Sequence, residues 1–245
     1  MRTLPIPNPL EKKLLQRLSA ETEAIEKASD PKAEAGKRYS NARKTSWFAP
    51  VLKELGRLAG PGERCMFCSG SEASDVEHYQ PKTIFPELSM TWENYLWSCA
   101  PCNRSKHNRF PPDTGPGGKF VNPLYENVWD FFFIDSFGIL TPRFDRATNA
   151  PNERAVTTRD FLSLNRDAVQ VCRQQRFKNL KEAMVDTLNL VVANKLTKKA
   201  ARERVATWKS ESWQPDVADY FLNGPGRNES PFKEFFAEVF LPRPS

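Results

Sequence analysis

The sequence predicts a mainly helical α+β chain in which a small strand, loop, strand, helix module is set into a helical body. Two Cys-x-x-Cys pairs, Cys65-Met-Phe-Cys68 and Cys99-Ala-Pro-Cys102, stand thirty residues apart and mark the module. The text between and just after them alternates like strands and then opens a helix behind a proline. On both flanks, apolar residues recur at helical spacing. A chain of 245 residues is long enough to bury one substantial core around such a module.

Along the chain, Leu10, Leu14, Leu15, Leu18 and Ile25 line one side of a first helix. Asn8 is its expected cap, Pro9 its first helical residue, and Glu11 completes a capping-box-like pattern. Asp30-Pro31 is read as its stop. A second helical stretch runs from about Asn41 to Leu58, disturbed near Pro50, and ends at Gly60-Pro61-Gly62. These helices carry no chemistry of their own and are expected to pack on the module. Within it, Asp75 to Lys82 and Trp92 to Ser98 read as short strands, and Pro101 onward as a helix start. Trp92, Tyr95 and Trp97 are read as module core rather than base-stacking platforms.

Beyond the module, Gly115 to Gly118 reads as a flexible loop. Asp130 to Ile134 and Gly138 to Thr141 read as a hairpin, and Pro142 to Asn152 as polar loop. Helix is predicted from Leu164 to about Val192, and again across Lys195 to Arg204. A last helix opens at Ser230-Pro231 ahead of Phe232, Phe235, Phe236, Val239 and Phe240. The chain thus divides into 1–59, 60–112, 113–165 and 166–245, expected to form one compact unit.

The net charge of +6 is unevenly spread. Residues 1–59 hold twelve basic against seven acidic side chains and residues 166–210 eleven against four, whereas residues 60–110 hold five against six. The basic excess flanks a nearly neutral module, as suits a polyanionic substrate, although solvated helix faces give the same pattern. No apolar run reaches the eighteen residues of a membrane span, and the proline-interrupted opening lacks the apolar run of a secretory signal. The expected setting is the cytoplasm, where thiols stay reduced.

Paired Cys-x-x-Cys knuckles offer four thiolates to one tetrahedral Zn²⁺. Four unrelated thiols or a redox-active pair would be the alternatives, and redox motifs do not ordinarily come as a matched pair. Cys172, alone on an amphipathic stretch, reads as a small core residue.

Glu77-His78, Asn94 and Cys102-Asn103-x-x-Lys106 resemble the HNH, or ββα-metal, endonucleases, in which an acidic-residue–His pair ends the first strand and an Asn or His opens the helix. More narrowly, Glu77-His78-Tyr79-x-Pro81-Lys82, Trp92-Glu93-Asn94, the second knuckle through Lys106, and Phe110-Pro111 resemble the PtuB-like HNH nucleases of Septu and some retron anti-phage systems, with looser likeness in Asn122-Pro123, the Phe131-Phe132-Phe133 to Gly138 hairpin and Leu164-Asn165-Arg166. The likeness covers about residues 60 to 180. It implies hydrolysis of nucleic-acid phosphodiesters, DNA before RNA, with an ABC-type ATPase as partner.

For that chemistry His78 is the expected general base, since an imidazole accepts a proton from water near neutral pH. Glu77 and the Asn103 carbonyl offer oxygens suited to Mg²⁺ or Mn²⁺, with Asp75 as the alternative to Glu77. His107, four residues after Asn103 on one helix face, would complete that site. By the resemblance, Asn94 braces the loop that carries His78. Lys82 and Lys106 are candidate phosphate contacts, and Arg104 is either a third or a solvated charge. Strand alternation separates Glu77 from His78, so the strand must end or bulge there for both to reach one phosphate. The competing reading is a non-catalytic, zinc-dependent module that binds nucleic acid or the ATPase.

Overall fold

The computed structural model describes residues 1–4, 10–60, 62–70, 72–111, 120–210 and 215–240. The expectations for Asn8, Pro9, Pro61 and Gly115 to Gly118 lie outside them.

Three helices precede the module. The first, α1 (Lys12–Glu26), buries Leu18 and Ile25, and Glu11 stands at its N-cap position without a side-chain capping bond. Asp30-Pro31 does more than stop α1. The Asp30 carboxylate accepts a hydrogen bond from the Ala33 amide at 3.0 Å and Pro31 opens the first turn, so the same dipeptide starts α2 (Pro31–Ala42). Likewise Pro50 sits in the first turn of α3 (Ala49–Ala59) and begins that helix rather than disturbing it. The stretch read as one helix from Asn41 to Leu58 is therefore the end of α2, a short 3₁₀ turn at Ser46–Phe48, and α3.

The module follows the predicted order. Strand β1 (Asp75–His78) pairs antiparallel with β2 (Tyr95–Ser98), setting Glu77 opposite Leu96 and His78 opposite Tyr95. Helix α4 (Ala100–Lys106) leaves the second knuckle. The first knuckle is laced to β2 by the Met66 amide on the Trp97 carbonyl at 2.9 Å. Helix α3 packs on β2, while α1 and α2 flank the turn at Pro86–Leu88 within the loop between the strands. Trp92, Tyr95 and Trp97 are buried, in keeping with a core role.

Hairpin β3 (Phe132–Ile134) and β4 (Leu140–Pro142) buries Phe132 and Ile134 and leaves Phe133 outward, which assigns faces to the three phenylalanines. Its turn needs Gly138. That residue has φ +76°, and a Cβ there would lie 2.5 Å from the Gln170 carbonyl oxygen. The stretch expected to be loop carries a short strand pair, β5 (Phe144–Asp145) with β6 (Ala150–Pro151). Asn152 then caps α5 (Glu153–Phe161) through the Ala155 amide at 3.0 Å.

The C-terminal body is α6 (Asp167–Val192) packed against α7 (Lys198–Ser210), α8 (Pro215–Ala218) and α9 (Phe232–Phe240). On α6 the buried stripe runs through Val169, Arg173, Arg176, Leu180 and Met184. Cys172 falls one position off that stripe and is exposed, so it is not the core residue expected.

Two members of the stripe are charged. Fully enclosed Asp216 accepts from Arg173 Nε at 3.3 Å and Arg176 Nη2 at 2.9 Å, and Arg173 also donates to the Gly138 and Leu164 carbonyls. Burial alone would raise the Asp216 carboxyl, but the charges of Arg176, the buried Met1 ammonium and Arg173 together outweigh it and hold the group below its ordinary value. Asp216→Asn leaves two buried cations without their anion. It is expected to destabilise the chain by about 3–5 kcal/mol, read as a lowered urea midpoint at pH 7.

Candidate functional site

The four knuckle sulfurs converge. Cys65, Cys68, Cys99 and Cys102 are buried, with their Sγ atoms within 4.8 Å of one another. Thiolates about 2.3 Å from a tetrahedral centre have edges of about 3.8 Å. The Cys68–Cys99 separation is 3.8 Å, so the cluster has the dimensions of a zinc site. Among the described residues it is the one place where three or more His, Cys, Asp or Glu ligand atoms gather this closely. Arg166, which the sequence reading did not place in the site, lies against three of these sulfurs.

His78 ends β1 and is enclosed, 4% exposed. Its Nε2 lies 3.0 Å from the Ser89 carbonyl oxygen. A carbonyl can only accept, so this contact puts the proton on Nε2 and the basic lone pair on Nδ1. Tyr95 donates to the same carbonyl at 2.8 Å, and the Tyr39 ring meets the imidazole edge-on with centroids 4.6 Å apart. Burial first, and then the charge of Lys82, pulls the imidazole down to about 3, so the ring is neutral at pH 7.

Asn94 fastens the segment behind the histidine. Its Nδ2 donates to the Gln80 and Leu88 carbonyls at 2.9 and 3.0 Å, and its Oδ1 accepts from the Gln80 amide at 2.8 Å. Both ends of the 80–88 loop are thereby closed on one side chain, which keeps Ser89 beneath the imidazole.

A cavity of about 280 Å³ opens at this point, lined by Tyr39, Asp75, Glu77, His78, Lys82, Asn103, His107 and neighbours. Four consecutive residues of β1, Asp75 to His78, contribute to its lining, Glu77 and His78 among them. Lys82 stands at its wall with Nζ 5.1 Å from the Tyr39 ring centre. Tyr39 comes from α2, an element in which the sequence reading found no chemistry.

Several expected contacts are arranged differently. Lys106, read as a phosphate contact, is 1% exposed. Its ammonium donates at 2.7 Å to both Glu77 Oε1 and the His78 carbonyl oxygen, so its charge is committed inside the protein. Glu77 in turn is not a free carboxylate. Burial pushes Glu77 up and Lys106 down from their ordinary values, each opposed by the other's charge. Asp75, the alternative ligand, is ion-paired to Arg43 at 2.9 Å. His107 does not continue the helical face of Asn103: α4 stops at Lys106 and His107 takes φ +48°, yet it still lines the cavity. Arg104 is exposed and outside the cavity lining.

Glu77, Asn103 and His107 all contribute to the cavity lining.

No protein-family model matches the sequence. Over 65 residues the chain is 35% identical to the Septu protein PtuB of Bacillus thuringiensis, a stretch that takes in 24% of this chain and 25% of that protein. The chain is thus similar to PtuB over a quarter of the relative's length. Among the described residues, no helix is long and apolar enough to cross a membrane.

Proposed function

We propose that this chain is a metal-dependent, HNH-type endonuclease that hydrolyses nucleic-acid phosphodiesters, DNA before RNA. In this reading it is the cutting component of a Septu-like anti-phage system, working in the cytoplasm under the direction of an ABC-type ATPase. The observation that carries the reading is the His78 imidazole, held in one tautomer by the Ser89 carbonyl and lining one cavity with Asn103 and His107 beside a four-cysteine cluster. The partial similarity to PtuB supports the biological role.

His78 Nδ1 takes the proton from the attacking water, while the Nε2–H bond to Ser89 holds the ring in place and stabilises the imidazolium that forms. An entering phosphate brings negative charge next to the ring and so raises its basicity from the low value imposed by burial. Asn94 acts as a positioning residue through the 80–88 loop. Lys106 holds Glu77 and the His78 carbonyl together across β1 and α4, and Lys82 meets the phosphate at the cavity wall. A divalent ion bound at Glu77, Asn103 and His107 would supply positive charge to the phosphate and the departing 3′ oxygen.

The test is incubation of the zinc-loaded chain, alone and with its co-expressed ATPase, with plasmid DNA and total tRNA under Mg²⁺, Mn²⁺ or neither. Cleavage of plasmid in the presence of either ion is expected. Intact plasmid and tRNA throughout would favour the non-catalytic binding module instead.

A further inference from the structure

Arg166 occupies the position that opens α6, and its guanidinium lies against the cysteine cluster. Its Nη2 is 3.4 Å from Cys68 Sγ and 3.9 Å from Cys99 Sγ, and its Nη1 is 3.6 Å from Cys102 Sγ. The fork is braced by the Ser163 carbonyl, 3.2 Å from Nη1. Further along the same helix, Arg176 Nη1 donates to the Ser69 carbonyl of the first knuckle at 3.3 Å.

Four thiolates around one Zn²⁺ form a dianion, and these sulfurs sit in a buried site where unpaired charge is costly. The Gly70 amide lies 3.4 Å from Cys68 Sγ and Ser98 Oγ 3.9 Å from Cys65 Sγ; among the described residues Arg166 is the cation in direct contact with the sulfurs, while the charges of Arg173 and the Met1 amino group also act on Cys68. We propose that Arg166 is the counter-ion of a tetrathiolate zinc, and that through it zinc retention and the docking of the first turns of α6 on the module are one linked equilibrium. Linkage is reciprocal: what zinc contributes to seating α6, a seated α6 contributes to holding zinc. The inference stands on the cluster's geometry and does not depend on the nuclease reading.

The experiment is zinc transfer from the full chain to a chromophoric chelator, for the parent protein, Arg166→Ala and Arg166→Lys. Removal of an outer partner of a metal ligand typically lowers affinity about 10–100-fold, and that loss is expected for Arg166→Ala, with Arg166→Lys recovering most of it by keeping the cation. An Arg166→Ala affinity within about twofold of the parent would overturn the proposal. Should Arg166→Ala fail to fold, hydrogen exchange on the parent chain decides. Loss of protection across residues 167–176 when zinc is withdrawn supports the link, and unchanged protection there, while residues 65–70 lose theirs, refutes it.

Discussion

Serine in place of Cys65, Cys68, Cys99 or Cys102 is expected to abolish stoichiometric zinc and to melt the hairpin module. Helix α3 supports β2 from behind, but β1 and β2 are only four residues each, and so short a hairpin is marginal by itself. Structural zinc binds zinc-finger peptides with an apparent free energy of about 10–16 kcal/mol, and that binding energy is folding energy. Metal analysis should find about one zinc per parent chain and well under one in each variant. The near-ultraviolet signal of the buried tryptophans should collapse in parallel. Cys172→Ser is the built-in control, since that thiol is exposed on α6 and away from the cluster, and it should leave both readings unchanged.

His78→Ala is expected to lower cleavage by about 10²–10⁴-fold, the usual worth of a general base, without loss of zinc. His78 touches none of the four sulfurs, so the cluster survives its removal. Asn94→Ala should lower cleavage as well but by another route. With the Gln80 and Leu88 carbonyls freed, the loop loosens and Ser89 no longer fixes the imidazole, so thermal stability falls together with the rate. A His78→Ala protein that keeps its zinc but has no activity, beside an Asn94→Ala protein with residual activity, separates the base from its support. Equal activity of His78→Ala and the parent would remove His78 from the chemistry.

The parts of this fold that were legible in the sequence are those encoded by local spacing. The knuckles are written as two i, i+3 cysteine pairs, the hairpin as alternating blocks, and α9 as a proline followed by phenylalanines at helical intervals. Proline was the ambiguous letter. Asp30-Pro31 and Pro50 were read as breaks, whereas each opens a helix, because a residue that cannot continue a helix is well suited to start one. Cys172 shows the limit of periodicity, where an offset of one residue separates the buried stripe from solvent.

At the site, the four cysteines were legible because residue type and spacing announce them. The pairing of Lys106 with Glu77 was not. A lysine near a suspected phosphate site reads as a phosphate contact, and only the packing of α4 on β1 turns its ammonium inward to a carboxylate and the His78 carbonyl. The site contacts of Arg166 and Tyr39 were missed for a related reason. Their partners lie 64 or more and 39 residues away in sequence, so no local spacing brings them together.

The most direct measurement is analysis of the ends left on an end-labelled duplex by the zinc-loaded chain, with and without Mg²⁺ or Mn²⁺, beside His78→Ala. The account expects 5′-phosphate and 3′-hydroxyl ends that form only when the divalent ion is added and only when His78 is present. Substrate left whole under every ion, with the ATPase partner supplied, or cut equally well by His78→Ala, would contradict it.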